Sequence, residues 1–98
     1  MAVVWTRIAT PVPGKQAEAF EFAKKRAAAV NAAYGTQVEV HVRFGGPLGQ
    51  VAMISRHKNV QEIEDIKRKV IEDSSNGKIP ASDGTLLTSV EDAIWLTK

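Results

Sequence analysis

Residues 36–44 alternate without exception: Val38, Val40, Val42 and Phe44 share one side, while Gln37, Glu39, His41 and Arg43 share the other. A period of two marks a β-strand with one face packed on a core. No other stretch is as clean, so the remaining elements are read outward from it. Gly45-Gly46-Pro47-Leu48-Gly49 forms a turn into an apolar run at residues 50–55, which makes these two strands a hairpin. The glycines do not make a phosphate loop, because Gly49 is followed by Gln50 and a strand rather than by Lys, Ser or Thr and a helix.

Residues 3–10 are rich in β-branched and aromatic side chains and are closed by Pro11-Val12-Pro13-Gly14, which cannot continue a ladder. Residues 15–34 place Ala17, Phe20, Ala23, Ala27, Val30 and Tyr34 at three- and four-residue steps, one face of a helix, with Gly35 as its left-handed stop. Asn59 and Glu62 have the spacing of a capping box. Val60, Ile63, Ile66 and Val70 then continue as a second amphipathic helix ending near Asp73. Residues 74–83 are turn-rich, with a short helical turn expected at 79–82. Residues 89–97 close the chain as a strand.

The order β-α-β-β-α-β is that of a ferredoxin-like α+β domain, a four-stranded antiparallel sheet carrying both helices on one face. Residues 1–98 form one such domain, without linker or internal repeat. If the other face were simply wet, every strand would alternate as residues 36–44 do. Instead Val3-Val4-Trp5, Val51-Ala52-Met53-Ile54 and Ala93-Ile94-Trp95-Leu96 are continuous apolar runs. Two helices cover one face only, so the expected assembly is a homodimer in which a second chain covers the other.

Composition narrows the function classes. With no cysteine, the chain has no disulfide, thiol nucleophile or thiolate metal site. Its 13 Lys and Arg against 11 Asp and Glu leave an excess of two charges, too small to argue for nucleic acid. RNA-recognition domains share this element order but stack bases on aromatics of the third strand, and Gln50-Val51-Ala52-Met53-Ile54-Ser55 has none. No basic leader precedes an apolar core, and no apolar run approaches the ~20 residues needed to cross a bilayer. The expectation is a soluble, cytoplasmic protein without nucleic-acid or membrane partners.

The strand ending in Thr-Pro-Val-Pro-Gly-Lys, the helix with Glu-Ala-Phe-Glu-Phe-Ala-Lys-Lys, the Gly-Gly-Pro-Leu-Gly turn and the closing Ser-Val-Glu-Asp-Ala-Ile-Trp resemble the dimeric α/β-barrel superfamily, particularly its NIPSNAP-like and antibiotic-biosynthesis-monooxygenase-like small proteins. The resemblance implies two ferredoxin-like subunits packed sheet against sheet, each with a cleft between its sheet and the adjoining elements. Members range from haem-degrading and quinol-forming monooxygenases to muconolactone isomerases and proteins without known activity, so fold leaves function open. The haem-degrading relatives are expected to carry an Asn on the first strand. Thr6 and Arg7 stand there instead, and no cofactor is expected.

If Val38, Val40, Val42 and Phe44 face the helices, then Glu39, His41 and Arg43 face the opposite side. On the first strand Val4 and Ile8 are the natural helix-facing set, which groups Trp5 and Arg7 with those polar residues. Trp95 joins them if the strand is not bulged at Glu91-Asp92-Ala93. Trp5, Arg7, Glu39, His41, Arg43 and Trp95 therefore form the expected cleft, away from the helices, for a small and largely apolar organic ligand. Catalysis there would be cofactor-free monooxygenase or isomerase-like chemistry, with His41 as general acid or base and Arg43 stabilising an oxyanion. The alternative is a non-catalytic dimerisation module in which these residues pair and pack between subunits. His57, between Arg56 and Lys58, reads as a surface residue. Glu39 and His41 supply two metal ligands with no third, so no metal site is expected.

Overall fold

The computed structural model describes residues 2–43, 49–81 and 84–97. Its elements are β1 (Val3–Pro11), α1 (Gln16–Tyr34), β2 (Glu39–Val42), β3 (Val51–His57), α2 (Val60–Ser75) and β4 (Leu87–Leu96). The strands pair antiparallel in the order β2-β3-β1-β4, giving the ferredoxin-like α+β fold. No helix among the described residues is long and apolar enough to cross a membrane.

Local chemistry sets the element ends. Gly35 takes φ 68°, and its N–H donates to the Asn31 carbonyl at 2.9 Å, closing α1 in the left-handed conformation that favours glycine. Asn59 caps α2 by accepting from the Glu62 N–H at 2.9 Å. The other half of the expected capping box is absent, because the Glu62 carboxylate reaches His57 instead. The buried line of α1 is Ala19, Ala23, Ala27 and Val30; Ala17 is exposed. In α2 the line narrows to Ile63 and Ile66, with Val60 exposed.

The observed β2 is shorter than the alternation of residues 36–44, and Phe44 lies outside the described residues, as do residues 45–48 of the expected turn. Residues 79–81 are not helical, and Ser82 falls outside the described residues. β4 starts earlier than expected. Its register with β1 runs unbroken from Ser89 to Leu96, so no bulge forms at 91–93, and the irregularity lies at the Thr10/Pro11 end.

The register overturns one assignment of faces. Trp5 is paired with Ser55 and Arg7 with Met53, and these four side chains line a cavity together with residues of α1 and α2. The odd-numbered positions of β1 therefore face the helices. Val4, Thr6 and Ile8 face away, contrary to the expectation from residue type. Val4 and Ile8 are no more apolar than Val3 and Ala9, which are 0% and 2% exposed, so hydropathy alone could not choose between the two alternating sets.

Candidate functional site

α1 and α2 both pack on the sheet but make few close contacts with one another. The gap between them is a cavity of about 430 Å³, within the range of ~300–1,000 Å³ usual for small-molecule sites. Phe22, Val30, Val38, Met53, Ile66 and Val70 provide apolar wall. Arg7, Arg26 and Lys67 also line it, and no Asp or Glu does.

Each cation is held differently. Arg7 forms a two-pronged ion pair with Asp92 of β4, Nε to Oδ1 at 2.7 Å and Nη2 to Oδ2 at 2.9 Å. The hydrogen bond from Arg7 holds the Asp92 carboxyl below the usual carboxylate range against the opposing effect of burial. Its charge and that of Lys67 act in the same sense. The same hydrogen bond raises the Arg7 guanidinium, again against burial. Arg26 has only neutral partners among the described residues, the Ser74 hydroxyl and the Pro80 carbonyl. Burial first, and then the like charge of Arg7, push its guanidinium below its ordinary range. Lys67 Nζ and Arg7 Cζ lie 5.9 and 5.8 Å from the centre of the Trp5 ring, cation–π contacts that hold the indole between β1 and α2. Trp5 Nε1 is buried, and its N–H also helps to hold the Asp92 carboxyl down.

A second polar group sits at the end of β3. The Ser55 hydroxyl is 2.8 Å from His57 Nε2, and His57 Nδ1 is 3.0 Å from Glu62 Oε1. Ser55 and His57 are only 4% and 7% exposed, and both line the cavity. His57 is thus buried and not at the surface as expected. Extending the period-two pattern of β3 past Ser55 would have put it beside Val51 and Met53 on the helix face.

The six residues expected to share one cleft divide between the two faces. Trp5 and Arg7 line the helix-side cavity, whereas Glu39, His41, Arg43 and Trp95 lie on the open face. His41 is opposite Ala52, which is opposite Ile8, and Trp95 is opposite Val4. His41 Nε2 is 3.5 Å from Glu39 Oε1, with both side chains about half exposed (53% and 54%). Arg43 donates to Gln50 Oε1 at 2.7 Å, and Trp95 Nε1 donates to Thr6 Oγ1 at 3.0 Å. Arg26, Lys67, Ser55 and Phe22 were not legible as site residues, since nothing local distinguishes them from other helix and strand residues.

Solved structures share this architecture. A NIPSNAP family protein from Agrobacterium tumefaciens superposes with a TM-score of 0.81 at 22% identity, covering 100% of this chain and 94% of that one. The fold is that of the NIPSNAP proteins. A NIPSNAP-like domain protein from Burkholderia xenovorans matches with a TM-score of 0.78 at 15% identity, over 99% of this chain and 85% of that one. A further NIPSNAP family protein from A. tumefaciens, described as of unknown function, matches at 0.73 and 14% identity, over 95% and 85% of the two chains. No family model matches the sequence, and no curated protein matches it at a significant level.

Within this NIPSNAP-like fold the Arg7–Asp92 pair ties the edge strand β4 to β1, with Arg7 on the cavity wall. Because the Asp92 carboxyl is depressed, its contribution is present above the ordinary carboxylate range near ~3.9 and is lost as pH falls through the lower folded value. Asp92→Asn is therefore expected to lower the melting temperature at pH 7 and to blunt the further drop in acid. Thermal melts from pH 7 to pH 2 check this, and parallel curves for the two proteins would contradict it.

Proposed function

We propose that the chain binds a small, largely apolar organic anion in the cavity between its helices and its sheet, and works as a cytoplasmic homodimer. The observation that carries the first part is the make-up of the wall: three cationic side chains among apolar ones, with no carboxylate lining it. Asp92 offsets Arg7. Arg26 and Lys67 have no carboxylate within 4 Å among the described residues. An anion entering a site of low dielectric loses its hydration and is bound only where fixed positive charge replaces it.

Octanoate and 1-octanol, equal in chain length and different in charge, test this directly. In a Trp95→Phe protein the fluorescence of Trp5 reports binding. Octanoate is expected to bind at least ~10-fold more tightly than 1-octanol, equivalent to about 1.4 kcal/mol. Lys67→Gln is expected to weaken octanoate about 5-fold, equivalent to about 1 kcal/mol, and to leave 1-octanol unchanged. Equal affinity for the two probes would sink the reading.

The second part is supported by the open face. Val4, Ile8, Ala52, Ile54, Ala93 and Trp95 form its apolar centre, with Ile8 36% and Trp95 60% exposed. Glu39 and Glu91 lie on the same face as His41, Arg43 and Arg56. A face with an apolar centre and both signs of charge fits a second copy of itself, because a two-fold axis brings each patch onto its counterpart. In this reading Glu39, His41, Arg43 and Trp95 serve the subunit interface, and Trp5 and Arg7 serve the ligand.

A further inference from the structure

We infer that Ser55, His57 and Glu62 form an acyl-transfer triad opening on the cavity, with a carboxylic ester of an apolar acid as its class of substrate. The inference rests on the cavity reading for the place where the ester binds, but the observation that carries it is separate. Three side chains stand in series, Ser55 Oγ to His57 Nε2 at 2.8 Å and His57 Nδ1 to Glu62 Oε1 at 3.0 Å. A carboxylate can only accept, so Glu62 fixes the hydrogen on Nδ1 and leaves Nε2 to accept from the Ser55 hydroxyl. Nucleophile, base and orienting acid are then joined through the same ring nitrogens as in serine hydrolases.

The supports of the three groups are rigid. Ser55 and His57 lie two residues apart on β3, on its helix-facing side, and Glu62 is in the first turn of α2, which Asn59 caps. Both Ser55 and His57 border the cavity. Trp5, directly opposite Ser55 in the β1–β3 ladder, also lines the cavity. Arg7, Arg26 and Lys67 on the same wall make the cavity favourable for the negative charge of an oxyanion.

The chemistry needs only water besides the ester. Ser55 Oγ adds to the carbonyl carbon as its proton passes to His57 Nε2. The tetrahedral oxyanion collapses, the bond to the alcohol oxygen breaks, and His57 returns the proton to the departing alcohol. Water then attacks the acyl-serine with His57 taking its proton, and the carboxylic acid leaves as Ser55 regains its hydrogen. The product is an apolar carboxylate, the class of anion that the cavity charges favour.

An alkyl fluorophosphonate, which phosphonylates a serine only when a base activates it, tests the assignment on the wild-type protein. Mass spectrometry of the digested adduct is expected to place one phosphonyl group on Ser55, with octanoate slowing its formation. Glu62→Gln, checked for its fold by circular dichroism, is expected to react at least ~10-fold more slowly because the imidazole loses its orienting carboxylate. A protein that binds octanoate but leaves Ser55 unmodified would overturn the triad and keep the cavity reading. One that neither binds octanoate nor reacts would overturn both.

Discussion

Replacing Ile63 with alanine is expected to remove about 2–5 kcal/mol of stability, whereas Ile71→Ala in the same helix is expected to change it by less than about 0.5 kcal/mol. Ile63 is 0% exposed and among the largest fully buried side chains, while Ile71 is 67% exposed. Both substitutions remove the same atoms and have the same effect on helix propensity. Only the first leaves a hole that its neighbours cannot close, since α2 is pinned at its start by the Asn59 cap and the His57–Glu62 bond. A chain of 98 residues has on the order of 5–15 kcal/mol in total, so Ile63→Ala approaches the limit of folding. Urea midpoints at one fixed protein concentration check the pair, the fixed concentration being required if folding is linked to association. Equal shifts in the two variants would show that α2 does not seat on Ile63.

The other large effect is expected at Ile8, in the middle of the open face. Ile8→Glu would place a carboxylate beside Ala52 and directly opposite Glu91 of β4. In a lone chain this costs little, because Ile8 is already 36% exposed. Beneath a partner subunit the same carboxylate is desolvated without a counter-charge, at a cost of at least ~3 kcal/mol, and two-fold symmetry applies it twice. Even one such cost weakens association about 100-fold. Sedimentation at micromolar concentration is expected to show the wild type at twice 10.6 kDa and the variant at 10.6 kDa, with unchanged circular dichroism. A wild-type protein that sediments at 10.6 kDa would remove the dimer from the proposal.

These effects lie on opposite sides of one sheet, and the division between the sides is where sequence reasoning met its limit. The element order, the stop at Gly35, the cap at Asn59 and the lack of alternation in β1, β3 and β4 were all readable, because each depends on a few neighbouring residues. Which face of β1 meets the helices was not. A strand apolar on both sides carries no internal signal of direction, and one step of register exchanges Trp5 and Arg7 for Val4, Thr6 and Ile8. His57 was misplaced because its flanking Arg56 and Lys58 suggest solvent, although on a strand the neighbours of a buried residue point the other way.

By itself, then, the order of residues determined the ferredoxin-like fold and the presence of apolar surface beyond what two helices cover, since periodicity and turn chemistry are local. Only the tertiary structure decided that Trp5, Arg7, Arg26, Lys67, Ser55 and His57 meet around one cavity, with Glu62 held behind His57. Those residues come from four elements, and their meeting depends on the pairing register of β1 with β3 and on the spread of α1 from α2, neither of which any local segment encodes.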